Sequence, residues 1–164
     1  MDPKKILIAV DASDNAARAV TYVAELLGGT SAGFQITVLY IERPPNRDLY
    51  PDEASWIEAG QTQELRIRTF LQQAKSNLTG HGIPADAVTI SYVPHCQSPV
   101  NPAAHQCSIG TSIARDILQV QQKGGFGTLV IGRRGVSRAE EFLFGSVTTK
   151  VTHLAKDCTV WVVQ

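Results

Sequence analysis

Short apolar runs alternate along the chain with longer stretches in which apolar residues recur every three or four positions. The runs are rich in Val, Ile and Leu and predict buried strands at 4–10, 34–41, 87–93, 128–131 and 159–163. The periodic stretches between them predict helices that end near 27, 80, 122 and 155. The longest helix is expected to start at Ser55, which forms a capping-box pattern with Glu58.

Strands that alternate with helices predict a parallel sheet covered by helices on both faces. We expect five strands in the order 3-2-1-4-5, in which the first and fourth strands are neighbours at the topological switch point. Ligands bind at the carboxyl ends of the strands at such a point. Asp11, Ile41 and Gly132 end three of the predicted strands, so the topology places them on one edge of the sheet.

A glycine pattern lies between the fourth strand and the last helix. Gly132 and Gly135 enclose two arginines, and nine further residues lead to Gly145 and Ser146. Glycine lets the backbone approach an anion closely, and a helix N-terminus offers N–H groups and partial positive charge. Ser146 is expected at or near the N-cap. The pattern therefore predicts a phosphate cradle.

Length and charge restrict the classes of protein that fit. The 164 residues are enough for one domain spanning 1–164, and 43% of them are hydrophobic. Lys plus Arg and Asp plus Glu both number 15, so the zero net charge disfavours nucleic-acid binding. The apolar run at 6–10 is too short for a signal peptide core or a membrane span. We expect a cytoplasmic protein.

The spacing Gly-x2-Gly-x9-Gly-Ser, joined to the early run Lys5 to Asp11 and the closing run Val160 to Val163, resembles the universal stress protein family, specifically its ATP-binding branch. The match covers nearly the whole chain. The resemblance implies the adenine nucleotide alpha hydrolase-like fold, an open five-stranded parallel sheet with helices on both faces. It also implies a nucleotide-dependent module of the stress response or of regulation.

The resemblance assigns roles to individual positions. Asp11 would face the nucleoside near the ribose, and Ile41 would hold the adenine edge through its backbone groups. ATP would be the ligand, with Mg²⁺ or Mn²⁺ bridging its phosphates. The residues implied to line the ribose and the phosphates are Gly132, Gly135, Gly145, Ser146 and Val147.

Other nucleotide motifs are missing from the chain. No Gly-x4-Gly-Lys-Ser/Thr supplies the lysine of P-loop enzymes, and no Gly-x-Gly-x-x-Gly follows the first strand. The pattern also shows no general base for attack by water. We expect nucleotide binding with slow hydrolysis at most and no catalytic residue. The alternatives are a genuine ATPase or phosphotransferase and a nucleotide-free dimeric scaffold.

A long loop or insertion is predicted at about 94–110, where prolines replace the helical period. It holds His95, Cys96, His105 and Cys107, which have the side chains of a tetrahedral zinc site in a non-standard spacing. A Cys96–Cys107 disulfide is disfavoured by the expected reducing compartment. The default expectation is an exposed loop that covers the nucleotide or meets a partner.

The last strand would form an exposed edge of the sheet, and such edges invite pairing. The resemblance implies a symmetric homodimer formed through this strand, in addition to an unidentified regulatory protein partner. Another interpretation is that Trp161 simply packs under a helix. The residues expected at the dimer interface are Val160, Trp161, Val162 and Val163.

Overall fold

A computed structural model of the protein describes residues 1–30, 33–102, 104, 106–133 and 144–164. Its centre is a five-stranded parallel sheet in the order β3-β2-β1-β4-β5, which confirms the predicted fold. The strands are β1 (Asp2–Val10), β2 (Gln35–Ile41), β3 (Val88–Val93), β4 (Phe126–Gly132) and β5 (Thr159–Val163). The helices are α1 (Asp14–Leu27), α2 (Glu53–Gly80), α3 (Ile113–Gly124) and α4 (Ser146–Leu154).

The sheet separates two apolar clusters. Side chains alternate between the two faces of a strand, so Ile6 and Ile8 of β1 face one cluster and Leu7 faces the other. All three are 0% exposed. Helices α1 and α2 cover the first face, and α3 and α4 cover the second. The central strands are therefore buried on both sides, which explains their continuous apolar runs.

Helix α2 is longer than the sheet it covers. Its 28 residues span about 42 Å, whereas the 7 residues of β2 span about 23 Å. Its buried apolar residues all lie in the second half and are Ile67, Leu71, Ala74 and Leu78. The first half therefore extends past the carboxyl edge of the strands. No helix within the described ranges combines the length and apolarity that a membrane crossing requires.

The start of α2 differs from the prediction. The helix begins at Glu53, and Asp52 is its N-cap, so the expected cap at Ser55 is wrong by three residues. The Asp52 carboxylate accepts hydrogen bonds from both the backbone N–H and the hydroxyl of Ser55, each at 2.7 Å. These bonds lower the pKa of Asp52. A charged cap satisfies the first turn more strongly than the serine would.

Strand β5 pairs with β4 along one side, and no described strand pairs with its other side. Trp161 packs edge-on against Tyr22 of α1, with ring centroids 6.2 Å apart. The interpretation that Trp161 packs under a helix therefore holds for this side chain. Residues 160–163 all remain partly exposed, so the edge keeps apolar surface for a further contact.

Candidate functional site

A cavity of about 780 Å³ opens at the carboxyl ends of β1, β2 and β4. Its size lies within the range of small-molecule sites in proteins, roughly 300–1,000 Å³. The strand order creates this cavity. The connection after β1 leads to β2 on one side of β1, whereas β4 pairs with the other side of β1, so a gap forms between the two connections. All six described residues of the predicted nucleotide set line it, and they are Asp11, Ile41, Gly132, Gly145, Ser146 and Val147.

Asp11 is positioned by the start of α1. Its carboxylate accepts a hydrogen bond from the Ser13 backbone N–H at 3.1 Å. Ser13 is the N-cap of α1, and its hydroxyl accepts from the Ala16 N–H at 3.2 Å. The turn between β1 and α1 therefore holds an acidic side chain at the edge of the cavity.

The N-terminus of α4 forms a second wall of the cavity. Gly145 is the N-cap, and Ser146, predicted at or near the cap, is the first helical residue. Two hydrogen bonds attach this turn to the end of β4 and to the residue after it. The Gly145 N–H donates to the Arg133 carbonyl at 3.0 Å, and the Thr148 hydroxyl donates to the Gly132 carbonyl at 2.9 Å. The first N–H groups of a helix have no intrahelical acceptor. This wall therefore offers donors and partial positive charge to an anion.

Gly132 lines the cavity, and close packing against α1 also favours a glycine at this position. A Cβ built on it would lie 3.0 Å from both the carbonyl carbon and the Cβ of Asn15 in α1. The absent side chain therefore lets α1 approach the end of β4. Gly135, the second glycine of the pattern, lies outside the described residues.

The first half of α2 forms a third wall of the cavity, and none of its residues belongs to the set predicted from the sequence. Its lining residues are polar or small and recur at helical spacing, as Ser55, Glu58, Ala59, Thr62, Gln63 and Arg66. The available signal was a long helix with apolar periodicity in its second half alone. The polar face of this half of α2 packs against no apolar core among the described residues and lines the cavity, so its side chains can contact a ligand.

The interior of the cavity is apolar and comes from both faces of the sheet. Val10 and Ala16 line it from the face covered by α1 and α2. Leu39, Ile131 and Ile117 line it from the face covered by α3 and α4. The two ends of the cavity therefore differ in chemistry. One region can bury a flat apolar group, and the α4 end can bind an anion.

Tyr40 connects the cavity to a polar cluster behind it. The Gln63 amide donates to the Tyr40 hydroxyl at 3.4 Å and to the Arg43 carbonyl at 2.6 Å. The Tyr40 and Tyr92 rings are 5.5 Å apart. Burial raises the pKa of both tyrosines, and the negative charge of nearby Glu42 raises these pKa values further.

The cysteines of the loop before α3 pair with each other. Cys96 and Cys107 form a disulfide with their Cα atoms 4.9 Å apart, contrary to the expectation from the presumed compartment. Sulfurs in a disulfide cannot serve as thiolate ligands of zinc. His95 Nδ1 accepts from the Gln97 N–H at 3.0 Å, and His105 lies outside the described residues. The described residues contain no group of three or more His, Cys, Asp or Glu that could hold a metal.

The whole chain is similar to a family of known proteins. A family model described as the universal stress protein family matches residues 3–164. Universal stress protein YxiE of Bacillus subtilis (strain 168) is 24% identical over an alignment of 167 residues that covers 98% of each chain. Among solved structures, hypothetical protein MJ0577 matches with a TM-score of 0.69 at 19% identity, covering 99% of this chain and 96% of that one.

Two further matched structures hold adenine nucleotides. One is a universal stress protein in complex with cAMP, with a TM-score of 0.60, 16% identity, and coverage of 98% of this chain and 95% of that one. The other is the universal stress protein from Archaeoglobus fulgidus in complex with dAMP, with a TM-score of 0.58, 20% identity, and coverage of 98% and 97%. At these identities, the structural likeness shows the shared fold.

The two buried tyrosines predict a steeper loss of stability at alkaline pH. Because the folded protein favours their neutral forms, the unfolded chain releases these protons first, and the free energy of unfolding falls as pH rises above about 10. The Tyr40→Phe, Tyr92→Phe double variant should lose less stability than the unmodified protein between pH 9 and about 11. Urea unfolding at each pH measures this difference.

The absorbance of tyrosinate, measured as a function of pH, reports the ionisation of the tyrosines in the folded protein. Of the 4 tyrosines, Tyr40 and Tyr92 should ionise late, and Tyr50→Phe serves as the control. Identical pH profiles of stability in the double variant and the unmodified protein would contradict the proposed origin of the shift.

Proposed function

The chain belongs to the universal stress protein family, and from that premise we propose that it binds an adenine nucleotide in the cavity at the carboxyl edge of the sheet. ATP is the proposed ligand. Binding, with slow hydrolysis at most, would let the protein act as a nucleotide-dependent module of the stress response. We propose that it works in the cytoplasm as a homodimer with a regulatory protein partner.

One observation carries the proposal. Residues from four separate parts of the chain, chosen from the sequence as a nucleotide set, line one cavity of suitable size. The cavity has an apolar interior for a base and a helix N-terminus for phosphates. Universal stress proteins of the same fold hold cAMP and dAMP, which share the adenine base and a phosphate.

The cavity supports a division of roles among its residues. Asp11 would accept hydrogen bonds from ribose hydroxyls, and the backbone of Ile41 would pair with the adenine edge. Mg²⁺ or Mn²⁺ would enter with the phosphates. The residues proposed to contact the ribose and phosphates are Gly132, Gly135, Gly145, Ser146 and Val147, of which Gly135 lies outside the described residues.

A second candidate function is a genuine ATPase, and Glu58 is the observation that favours it. This carboxylate lines the cavity from α2, on the wall that the glycine pattern did not reveal. A carboxylate can orient or deprotonate an attacking water when it reaches the terminal phosphate. The nucleotide-free scaffold is the third candidate, and direct binding measurements exclude or support it.

Asp11→Asn should weaken nucleotide binding about tenfold, because a neutral amide replaces a charged acceptor for the ribose hydroxyls. Isothermal titration calorimetry with ATP, ADP and AMP, each with and without Mg²⁺, measures the effect. Asp14→Asn is the matched control, since this exposed residue begins α1 and makes the same change of charge away from the cavity.

Two results would count against this proposal in different ways. Absence of binding by the unmodified protein for all three nucleotides would support the scaffold alternative. Equal affinities of Asp11→Asn and the unmodified protein would remove the ribose role of Asp11 while leaving the cavity as the binding site.

Slow hydrolysis predicts that phosphate release under single-turnover conditions stays below about 0.01 s⁻¹, far under the ordinary enzyme range of about 1–10³ s⁻¹. Glu58→Gln should leave this rate unchanged, because Glu58 would not act on the terminal phosphate. Radiolabelled ATP with excess protein measures the rate. Rapid release that Glu58→Gln abolishes would establish the ATPase instead.

The proposed homodimer uses the side of β5 that pairs with no described strand. Val162→Lys should convert the dimer to a monomer, since the lysine would bring a charge into an apolar interface. Thr89→Lys adds the same charge to an exposed position on β3, at the opposite edge of the sheet, and should leave the dimer intact. Sedimentation velocity distinguishes the two masses. A monomeric unmodified protein at micromolar concentration would contradict the proposal.

A further inference from the structure

The segment between β3 and α3, residues 94–112, is closed on itself next to its disulfide. His95 and Ser108 form an isolated parallel bridge, in which the Cys96 N–H donates to the Ser108 carbonyl and the Ser108 N–H donates to the Pro94 carbonyl, both at 2.8 Å. Cys96 and Cys107 are both partly exposed, so a dissolved thiol can reach the disulfide. We name the described residues of this stretch, 94–102, 104 and 106–112, the crossover segment.

A buried carboxylate ties this segment to the end of β2. Glu42 is 4% exposed and directly follows Ile41, which lines the cavity. Its two oxygens accept hydrogen bonds from the His95 N–H at 2.7 Å and from the Ser98 hydroxyl at 2.8 Å. Its own N–H donates to the Val93 carbonyl at 2.8 Å. The crossover segment is therefore fixed beside the strand end that forms one edge of the cavity.

The same segment supports the α2 wall from outside. A Cβ on Gly60 would overlap the ring of Pro99, so the helix backbone and this proline are in direct contact. Gly60 is buried, although it lies in the half of α2 that extends past the sheet. The Asn101 amide also donates to the Glu64 carboxylate at 3.4 Å. Adjacent residues on α2, Ala59 and Gln63, line the cavity.

We propose that the Cys96–Cys107 disulfide is a redox switch for nucleotide binding: reduction loosens the crossover segment, the α2 wall loses its support, and affinity falls. The nucleotide part rests on the function proposed above. A dithiol reductant supplies two electrons and two protons, so the S–S bond becomes two thiols and the reductant is oxidised to a disulfide. Reoxidation by a low-molecular-weight disulfide reverses the exchange.

The oxidised and reduced proteins differ in how strongly the crossover segment is constrained, and this difference predicts weaker nucleotide binding after reduction. The disulfide removes conformations of the loop between residues 96 and 107 that the reduced chain can adopt. After reduction the segment is held by noncovalent contacts alone, including the hydrogen bonds to Glu42. Such contacts break and re-form locally, so the segment opens more often than in the oxidised protein while the sheet stays folded. A ligand held by the α2 wall must then bind a less populated closed state, which lowers its apparent affinity.

Hydrogen exchange tests the structural coupling without any ligand. The full chain is compared after oxidation with glutathione disulfide and after reduction with dithiothreitol, with mass spectrometry counting two added hydrogens. Reduction should speed exchange in residues 53–66 and in the crossover segment, and should leave β1 unchanged. Unchanged exchange in residues 53–66 would overturn the proposal, as would free thiols at both cysteines after oxidation.

Calorimetry with ATP then tests the consequence for binding. Reduction should weaken affinity about tenfold, within the usual range of coupling between sites. Cys96→Ser, Cys107→Ser should bind as the reduced protein does and should not respond to dithiothreitol. Cys158→Ser is the matched control, because this third cysteine does not line the cavity, and it should keep the full response.

The two measurements separate failure of the switch from failure of the proposed function. If the oxidised protein binds no adenine nucleotide, the proposed function fails, and hydrogen exchange still decides whether the disulfide controls the α2 wall. If the oxidised and reduced proteins bind ATP with equal affinity, the proposed function stands and the switch is overturned.

Discussion

The cavity depends on the parallel pairing of β1 with β4, two strands that lie far apart in the chain and side by side in the sheet. Parallel neighbours must be joined by crossovers that pass over one face of the sheet. The chain therefore leaves β1 for β2 and α2 on one side and reaches β4 and α4 on the other. The turn at Asp11 and the N-terminus of α4 both line the gap that results.

The remaining walls are built outward from that gap. Helix α2 continues past the sheet because its first half covers no core, and its polar face closes the cavity. A helix that extends into solvent loses packing on one side. Here Pro99 packs against Gly60 and Glu42 holds the crossover segment in place, so part of that packing is restored. The α2 wall is therefore attached to the core less firmly than the walls formed by the strand ends.

The site was predictable where a residue is attached to a strand end or a helix start. Asp11, Ile41 and Gly132 follow from the apolar runs and the strand order, and Gly145 and Ser146 follow from the helix pattern behind them. The α2 wall was not predictable, because a polar face at helical spacing is the same in sequence whether it meets solvent or a cavity. The start of α2 was misplaced because Asp52 and Ser55 are both acceptable caps.

By itself, the sequence determined the alternation of strands and helices, the two-faced core and the glycine pattern after the fourth strand, because each rests on local periodicity and on general rules of chain connection. Only the tertiary structure decided what depends on distances between remote residues. It joined Cys96 to Cys107, placed Glu42 under the crossover segment and turned half of α2 into a wall. Such contacts depend on the three-dimensional path of the loops, and no short-range pattern in the chain specifies that path.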